Sequence, residues 1–274
     1  MFSEWEKNRL EKGEIQNQIA EDIISLQDAK ELLREKIENN NISRPECLDE
    51  ASSNEMCELS DAFMEKFPRE RNDAVKMAFE KSPKEYMEML EKNKDNLKIC
   101  ESRGKEGCYY LENGVYMRRD LDDEEYADIL RHEVSHYLDD QKGWFSENTE
   151  YINTVYDDTM TLNFSEASTR EHRQEMLDEL FRSDVCYNRH VSDMLSAVSR
   201  NNPKLILRYA IEGVPYYQHK NEYFDQGHNR ENEIYADVMA CISENDAETI
   251  AFVKKYFPNI YEATRQSMQE EEHE

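Results

Sequence analysis

The most constraining feature of this chain is the run His132-Glu133-Val134-Ser135-His136, which places two histidines four residues apart and a glutamate beside the first. On an α-helix, residues i and i+4 lie on one face about one 5.4 Å turn apart, so both imidazoles can bind one metal ion. Glu133 is turned by about 100° from His132, so it can reach a water on the metal rather than the metal itself. The run therefore predicts a helix that binds Zn²⁺ through His132 and His136, with Glu133 as the general base. Two surface histidines on an ordinary helix are the alternative interpretation.

A zinc ion bound by two histidines needs at least one more protein ligand. Asp139 and Asp140 could bind the metal or hold a histidine, but Asp139 lies in the same predicted helix and would reach the site poorly. Glu233 and Asp237 are a better pair, because they stand four residues apart in a second predicted helix with an apolar stripe beside them. A glutamate that binds zinc and an aspartate that accepts the N–H of a ligand histidine form a common zinc-site arrangement. We therefore expect Glu233 as the third ligand and Asp237 as the acceptor, although acids are common throughout this chain.

An aromatic segment precedes that second helix and contains two further candidates. His219 and Tyr223 could each donate a hydrogen bond to the oxyanion of a tetrahedral intermediate, so we predict that they are catalytic. The alternative is that Tyr223 only packs the loop and that His219 lies on the surface. His228 is a weaker candidate, and His172 and His190 are expected to be surface or helix-packing residues.

The periodicity of apolar residues divides the chain into three regions. Residues 1–100 are predicted to be all helical, with one long helix over 3–38, and could serve as a docking arm, a substrate selector or an inhibitory prosegment. Residues 101–268 contain the metal-binding run, and residues 269–274 form an acidic tail that is predicted to be disordered.

The region after residue 100 differs in amino-acid composition from the predicted helices before it. Aromatic and β-branched residues flank Asn113-Gly114, which predicts a β-hairpin. Helices are predicted from about residue 120 onward, with residues 141–165 as a loop. The chain is therefore expected to have an α+β fold that is mostly helical and has a small β element.

The HExxH run followed by Glu233-x-x-x-Asp237 resembles the gluzincin group of zinc metallopeptidases. This resemblance implies that His132, His136 and Glu233 bind zinc and that Glu133 is the general base. It also implies that Asp237 supports one of the ligand histidines.

A nearer likeness is to the zincin-like domain of phage head-morphogenesis (minor capsid) proteins and of some bacterial toxin-type proteins. It covers about residues 105–268 and implies a zincin-like metallopeptidase domain over 101–268. Ser135 departs from that domain, in which glycine is common at this position. The segments that carry the likeness are Tyr109-Tyr110 with its hairpin, Asp193-Met-Leu-Ser-Ala, Tyr217-Gln-His219 with Tyr223, Glu233-Ile-Tyr-Ala-Asp237 and Phe257-Pro258-Asn259.

The charge of the chain bears on its partners. Asp and Glu number 61 and Lys and Arg 34, which gives a formal net charge of −27. Such a surface repels nucleic acid phosphates and anionic lipids, so we predict neither nucleic acid nor a membrane as a partner. A protein or peptide substrate fits better, with a weak preference for basic side chains near the scissile bond. The region 1–100 could in addition bind a helical partner.

Two further features of the sequence bear on the cellular compartment of the protein and on the redox state of its cysteines. No stretch approaches the roughly 20 apolar residues of a membrane-spanning helix, and the N-terminus is charged from residue 4 rather than apolar. We therefore expect a cytoplasmic protein, with signal-less export as the alternative. The six cysteines include no C-x-x-C pair, so they are expected to be reduced thiols rather than zinc ligands, although Cys47/Cys57 and Cys100/Cys108 could each close a small loop.

These observations favour a zinc-dependent peptidase. Zinc and Glu133 would activate a water, and His219 or Tyr223 would stabilise the oxyanion. One alternative is a catalytically silent structural or interaction protein with the same fold, such as a phage-derived component. Others are a toxin or effector protease with one host target, and a helical interaction protein with a chance HExxH. The intact Glu133 argues against a purely structural zinc, which would not need a base.

Overall fold

The computed structural model describes residues 59–102, 108–161 and 170–269. The long helix predicted over 3–38 lies outside the described residues. Residues 270–274 of the acidic tail also lie outside the described residues. The same holds for residues 1–58, which are most of the region 1–100 that was predicted to bind a helical partner. The described residues belong to one compact unit comprising residues 53–274.

Helices make up most of the described chain. The helices before the sheet are α1 (Asp61–Met64), α2 (Asn72–Phe79) and α3 (Lys84–Asn93). The helices after it are α4 (Asp123–Gln141), α5 (Thr149–Thr161), α6 (Arg170–Leu180), α7 (Arg189–Ser199), α8 (Pro203–Glu212), α9 (Asn221–Phe224), α10 (Asn229–Glu244), α11 (Ala247–Tyr256) and α12 (Pro258–Gln269). No described helix is both long and apolar enough to cross a bilayer.

The β element is a three-stranded sheet with the order β1-β3-β2. β1 (Lys98–Glu101) runs parallel to β3 (Gly114–Met117), and β2 (Tyr109–Leu111) runs antiparallel to β3. The predicted α+β class, mostly helical with a small sheet, is confirmed.

The predicted hairpin is present, but its turn lies one residue earlier than the Asn113-Gly114 pair suggested. Leu111 pairs with Gly114, so the two turn residues are Glu112 and Asn113, with φ of 50° and 62°. Positive φ at both central residues is typical of the type I′ turn that suits a two-residue hairpin. Gly114 instead begins β3, where an added Cβ would lie 2.9 Å from a ring carbon of Tyr116 and 3.1 Å from the Leu111 carbonyl oxygen.

The core around the metal-binding run is formed by α4, α7 and α10. Helix α4 begins at the cap residue Asp122, whose carboxylate accepts the Glu125 N–H at 2.8 Å. Helix α10 packs against both α4 and α7 and is buried without a break from Glu233 to Ser243. A helix buried this fully can place polar side chains only where other groups receive them.

Helices α2 and α3, which precede the sheet, pack directly onto α4. Arg131 is buried and donates through Nε to the Ala78 carbonyl at 2.8 Å and through Nη2 to the Met77 carbonyl at 3.0 Å. A cation at these last carbonyls of α2 complements the negative end of the helix dipole. Within the described residues, the predicted boundary at residue 100 therefore does not separate two compact units.

The prediction of a loop over residues 141–165 was wrong, because α5 occupies Thr149–Thr161. Its threonines and β-branched residues give weak intrinsic helix propensity. Tyr151 and Val155, four residues apart, are fully buried. Tertiary burial on this face, including contact with α12, therefore outweighs the weak local preference.

The cysteines of the described residues are free thiols, as expected. Cys100 and Cys108 are half-buried and unpaired, and Cys186 and Cys241 are buried. Cys47 and Cys57 lie outside the described residues.

Candidate metal centre

Helices α4 and α10 bring three potential ligand atoms together. The Nε2 atoms of His132 and His136 lie 3.1 Å apart, and the Glu233 Oε2 atom lies 3.1 Å from the first and 3.5 Å from the second. A tetrahedral zinc ion with bonds of about 2.0 to 2.1 Å has ligand atoms about 3.3 to 3.4 Å apart. The side chains therefore have the mutual spacing of three corners of a zinc tetrahedron.

The local structure explains how α4 presents this pair. His132 and His136 are one turn apart, with ring centroids separated by 4.7 Å and ring planes at 88°. Ser135, where the resembling domain commonly has glycine, is fully buried, and its Oγ donates to the Arg131 carbonyl at 2.7 Å. The serine is thus accommodated within the helix.

Asp237 orients the His132 ring through the nitrogen that does not face Glu233. Its Oδ1 lies 2.9 Å from His132 Nδ1, which directs the Nε2 lone pair toward Glu233 when Nδ1 carries the proton. Burial disfavours the charged imidazole, but the charge and hydrogen bond of Asp237, together with the charge of Glu233, outweigh it and raise the pKa of His132 well above its usual value. Burial also raises the pKa of Asp237 well above its usual value, and His132 offsets this in part.

Glu233 Oε2 is a buried atom without a hydrogen-bond partner among the described residues. An unsatisfied buried carboxylate oxygen costs free energy, and such groups are rare in folded proteins. Three imidazole nitrogens nevertheless stand within 3.5 Å of it, those of His132, His136 and His219. The charge of a bound cation would satisfy this oxygen and the imidazole lone pairs together, so the residues fit a zinc ion.

Glu133 lines the same cleft, as its position beside His132 predicts. Its side chain is buried, and burial raises its pKa, while the nearby His132 and His136 lower it in part. A carboxylate with a raised pKa accepts a proton more readily, which suits a general base.

The structure brings His219 and Tyr223 to Glu233. Tyr223 donates its hydroxyl to Glu233 Oε1 at 2.6 Å, and His219 Nε2 lies 3.4 Å from Oε2. The two rings stack with centroids 4.6 Å apart. Burial lowers the pKa of His219, but the nearby Glu233 carboxylate outweighs it and raises that pKa to about 9. His219 and Tyr223 are therefore within reach of a group bound at Glu233, and their predicted catalytic roles stay predictions.

Sequence reasoning missed two residues of the site, His190 and Asp193 on α7. His190 is buried and lines the cleft, with Nδ1 3.7 Å from Asp237 Oδ1. Asp193 Oδ2 lies 3.8 Å from His219 Nε2. Their spacing of three residues on a predicted helix placed them on one face, which was the only available signal.

Other candidates lie elsewhere. His172 is exposed and contacts the Tyr256 ring at 5.6 Å, and His228 is an exposed cap residue of α10. Asp139 accepts the Ser146 N–H at 3.1 Å, and Asp140 accepts the hydroxyl of Tyr110. These residues supply no ligand to the group formed by the two histidines of α4 and Glu233.

The ligand atoms open onto a cleft of about 320 Å³. Its other walls come from β2, the residues just after α4, the N-terminal end of α7 and the start of α10. The side chains there include Tyr109, Tyr110, Trp144, Arg189 and Asn232.

Comparison of the chain with protein-family models, curated proteins and solved structures finds no significant match. Functional inference therefore rests on the geometry of the cleft.

Proposed function

We propose that this protein is a zinc-dependent metallopeptidase that hydrolyses peptide bonds in a protein or peptide substrate. The observation that carries the proposal is the spacing of His132 Nε2, His136 Nε2 and Glu233 Oε2, which lie 3.1 to 3.5 Å from one another. The orphaned Glu233 oxygen and the Asp237 carboxylate behind His132 support it further. The same residues carry the resemblance to gluzincins. On that basis we also propose that they belong to a zincin-like domain.

The side chains of the cleft can divide the work of hydrolysis. A zinc ion bound at the three ligands would polarise a carbonyl and lower the pKa of a water. Glu133 would take the proton of that water and pass it to the leaving amine. His219 or Tyr223 would donate a hydrogen bond to the developing oxyanion. In the structure the Tyr223 hydroxyl donates to Glu233 Oε1, so it would have to leave that carboxylate to reach the oxyanion.

A peptide substrate is favoured over a small molecule by the strand beside the cleft. β2 is an edge strand of the described sheet, and its residues Tyr109 and Tyr110 line the cleft. Edge strands offer backbone groups to an extended peptide, which would align its carbonyls with the strand.

Elemental analysis of the purified chain tests the metal. We expect about one zinc per chain, which is lost in His132→Ala and retained in His172→Ala, the matched control at an exposed position of α6. Absence of zinc from the native chain after zinc loading would contradict the proposal and favour a helical interaction protein.

Cleavage of a peptide library tests the activity. The zinc-loaded chain should cleave, a chelator should stop cleavage, and added zinc should restore it. A chain that binds one zinc and cleaves no member of the library, nor any protein of a digest screen, would instead indicate a catalytically silent zinc protein.

A further inference from the structure

Arg189 is the one lysine or arginine among the described residues that line the metal cleft. It is half-buried, and its guanidinium carbon lies 4.5 Å from the centroid of the Tyr217 ring. Tyr217 is itself held to α7, because its backbone N–H donates to Ser192 Oγ at 2.9 Å. The guanidinium is therefore held in place by a ring that is fixed to the same helix.

Among the described residues this cation has no acidic partner, although acids outnumber basic residues by 61 to 34 in the sequence. Within residues 59–102, 108–161 and 170–269, no carboxylate oxygen lies within 4.0 Å of an Arg189 nitrogen. Other arginines are paired, as Arg71 is with Asp123 at 3.1 Å and Arg208 with Glu212 at 3.0 Å. The nearest acid on its own helix, Asp193, faces His219 instead.

The position of Arg189 adds a second electrostatic reason for an anion. Arg189 is the first residue of α7, which runs over Arg189–Ser199. The start of a helix carries a partial positive charge, so a cation there is unfavourable until an anion neutralises it. The guanidinium and the helix end together favour an anion in this part of the cleft.

We infer that Arg189 binds a carboxylate of the substrate, either its C-terminal carboxylate or the side chain of an Asp or Glu close to the scissile bond. A guanidinium matches a carboxylate with two parallel hydrogen bonds, which gives selectivity as well as affinity. This inference rests on the proposed peptidase function. It also reverses the weak expectation of a basic substrate, because Arg189 would contact the substrate directly, whereas distant surface charges are screened by salt.

Matched substrates test the inference. One cleaved peptide is prepared with a free and an amidated C-terminus, and each with Glu or Gln at the residues flanking the scissile bond. The zinc-loaded native chain should show kcat/KM roughly 10- to 100-fold higher for a form that keeps the recognised carboxylate. Sensitivity to amidation alone identifies the C-terminal carboxylate, and sensitivity to Gln alone identifies an acidic side chain.

Three variants assign that preference to Arg189. Arg189→Gln should remove the preference by lowering kcat/KM only for the carboxylate form, and Arg189→Lys should retain part of it. Arg119→Gln, which removes an arginine whose side chain is 81% exposed and pairs with Glu101, should leave the preference unchanged. Zinc content equal to that of the native chain shows that each variant is folded.

Two outcomes would overturn the inference without touching the proposed function. One is a native chain that cleaves all forms of the peptide equally, and the other is an Arg189→Gln variant that slows all forms to the same extent. A native chain that holds zinc but cleaves no peptide would overturn the peptidase proposal and this inference together. If Arg189→Gln did not fold, the Arg189→Lys variant and the preference of the native chain would still decide the matter.

Discussion

Two buried polar clusters lie side by side on α4 and α10, and they are built very differently. The ligand cluster consists of His132, His136 and Glu233. The serine cluster consists of Asp139, Ser146 and Asn232, and its members on the two helices lie within one turn of the ligand residues. Both clusters combine carboxylates with other polar side chains inside the same helix pair.

In the serine cluster, both oxygens of the Asp139 carboxylate accept hydrogen bonds from Ser146. Ser146 gives its backbone N–H to Asp139 Oδ1 at 3.1 Å and its hydroxyl to Oδ2, and Ser146 Oγ lies 2.9 Å from Asn232 Oδ1. Burial still raises the pKa of Asp139, to about 6, although the Ser146 hydrogen bonds lower it in part. These contacts tie the end of α4 to the segment that follows it, which is a structural role.

In the ligand cluster, two imidazole nitrogens and a carboxylate oxygen face one another across 3.1 to 3.5 Å, and the oxygen has no hydrogen-bond partner among the described residues. The two clusters show that burial and residue type do not identify a binding site. An unsatisfied buried oxygen is the more informative signal, because buried polar groups in folded proteins are otherwise hydrogen-bonded.

The largest expected effect comes from removing a ligand. Glu233→Ala should lose zinc and, with it, hydrolysis, because two histidines alone leave the metal site incomplete. Elemental analysis and a peptide assay measure both effects. Glu231→Ala, two residues earlier on α10, is the control and should keep both. Full zinc occupancy in Glu233→Ala would mean that another residue is the third ligand.

Glu133→Gln should separate metal binding from chemistry. The amide keeps the shape of the side chain but accepts no proton, so hydrolysis should fall by about 10²- to 10⁴-fold while zinc stays near one per chain. Steady-state rates on the peptide and zinc analysis of the same sample measure the two quantities. Unchanged rates would rule out Glu133 as the base.

Asp237→Asn should weaken the zinc site without abolishing it. The amide oxygen can still accept from His132 Nδ1, but the negative charge that makes the imidazole a better ligand is lost. We expect zinc affinity to fall by about 10- to 100-fold, as measured by competition with a chelator. An unchanged affinity would show that Asp237 has a structural role like that of Asp139.

Ser146→Ala should produce the smallest effect of the four variants. It should lower stability without changing zinc binding, which would show that the serine cluster has a structural role. The variant removes a hydroxyl donor to a buried carboxylate, so the free energy of unfolding should fall by about 1 to 3 kcal/mol. Urea denaturation of the zinc-loaded chain measures this change. Zinc affinity should stay at its native value, and a loss like that of Asp237→Asn would break the distinction between the two clusters.

The sequence predicted the candidate site better than it predicted the elements around it. His132, His136, Glu233 and Asp237 could be identified because helical spacing alone places i and i+4 side chains on one face. The sequence did not predict the pairing of β1 with β3, because a parallel pairing across an intervening strand has no turn signal like that of a hairpin. It also missed α5, whose propensity is weak and whose burial depends on α12.

Local periodicity determined that this chain forms amphipathic helices, that a hairpin precedes α4, and that two histidines and two acids share helix faces. Only the tertiary structure decided that those faces meet, with ligand atoms 3.1 to 3.5 Å apart. It also decided that His190, Asp193 and Arg189 belong to the same cleft. Spacing along a helix is a property of the backbone, whereas distances between helices depend on how all buried side chains pack at once.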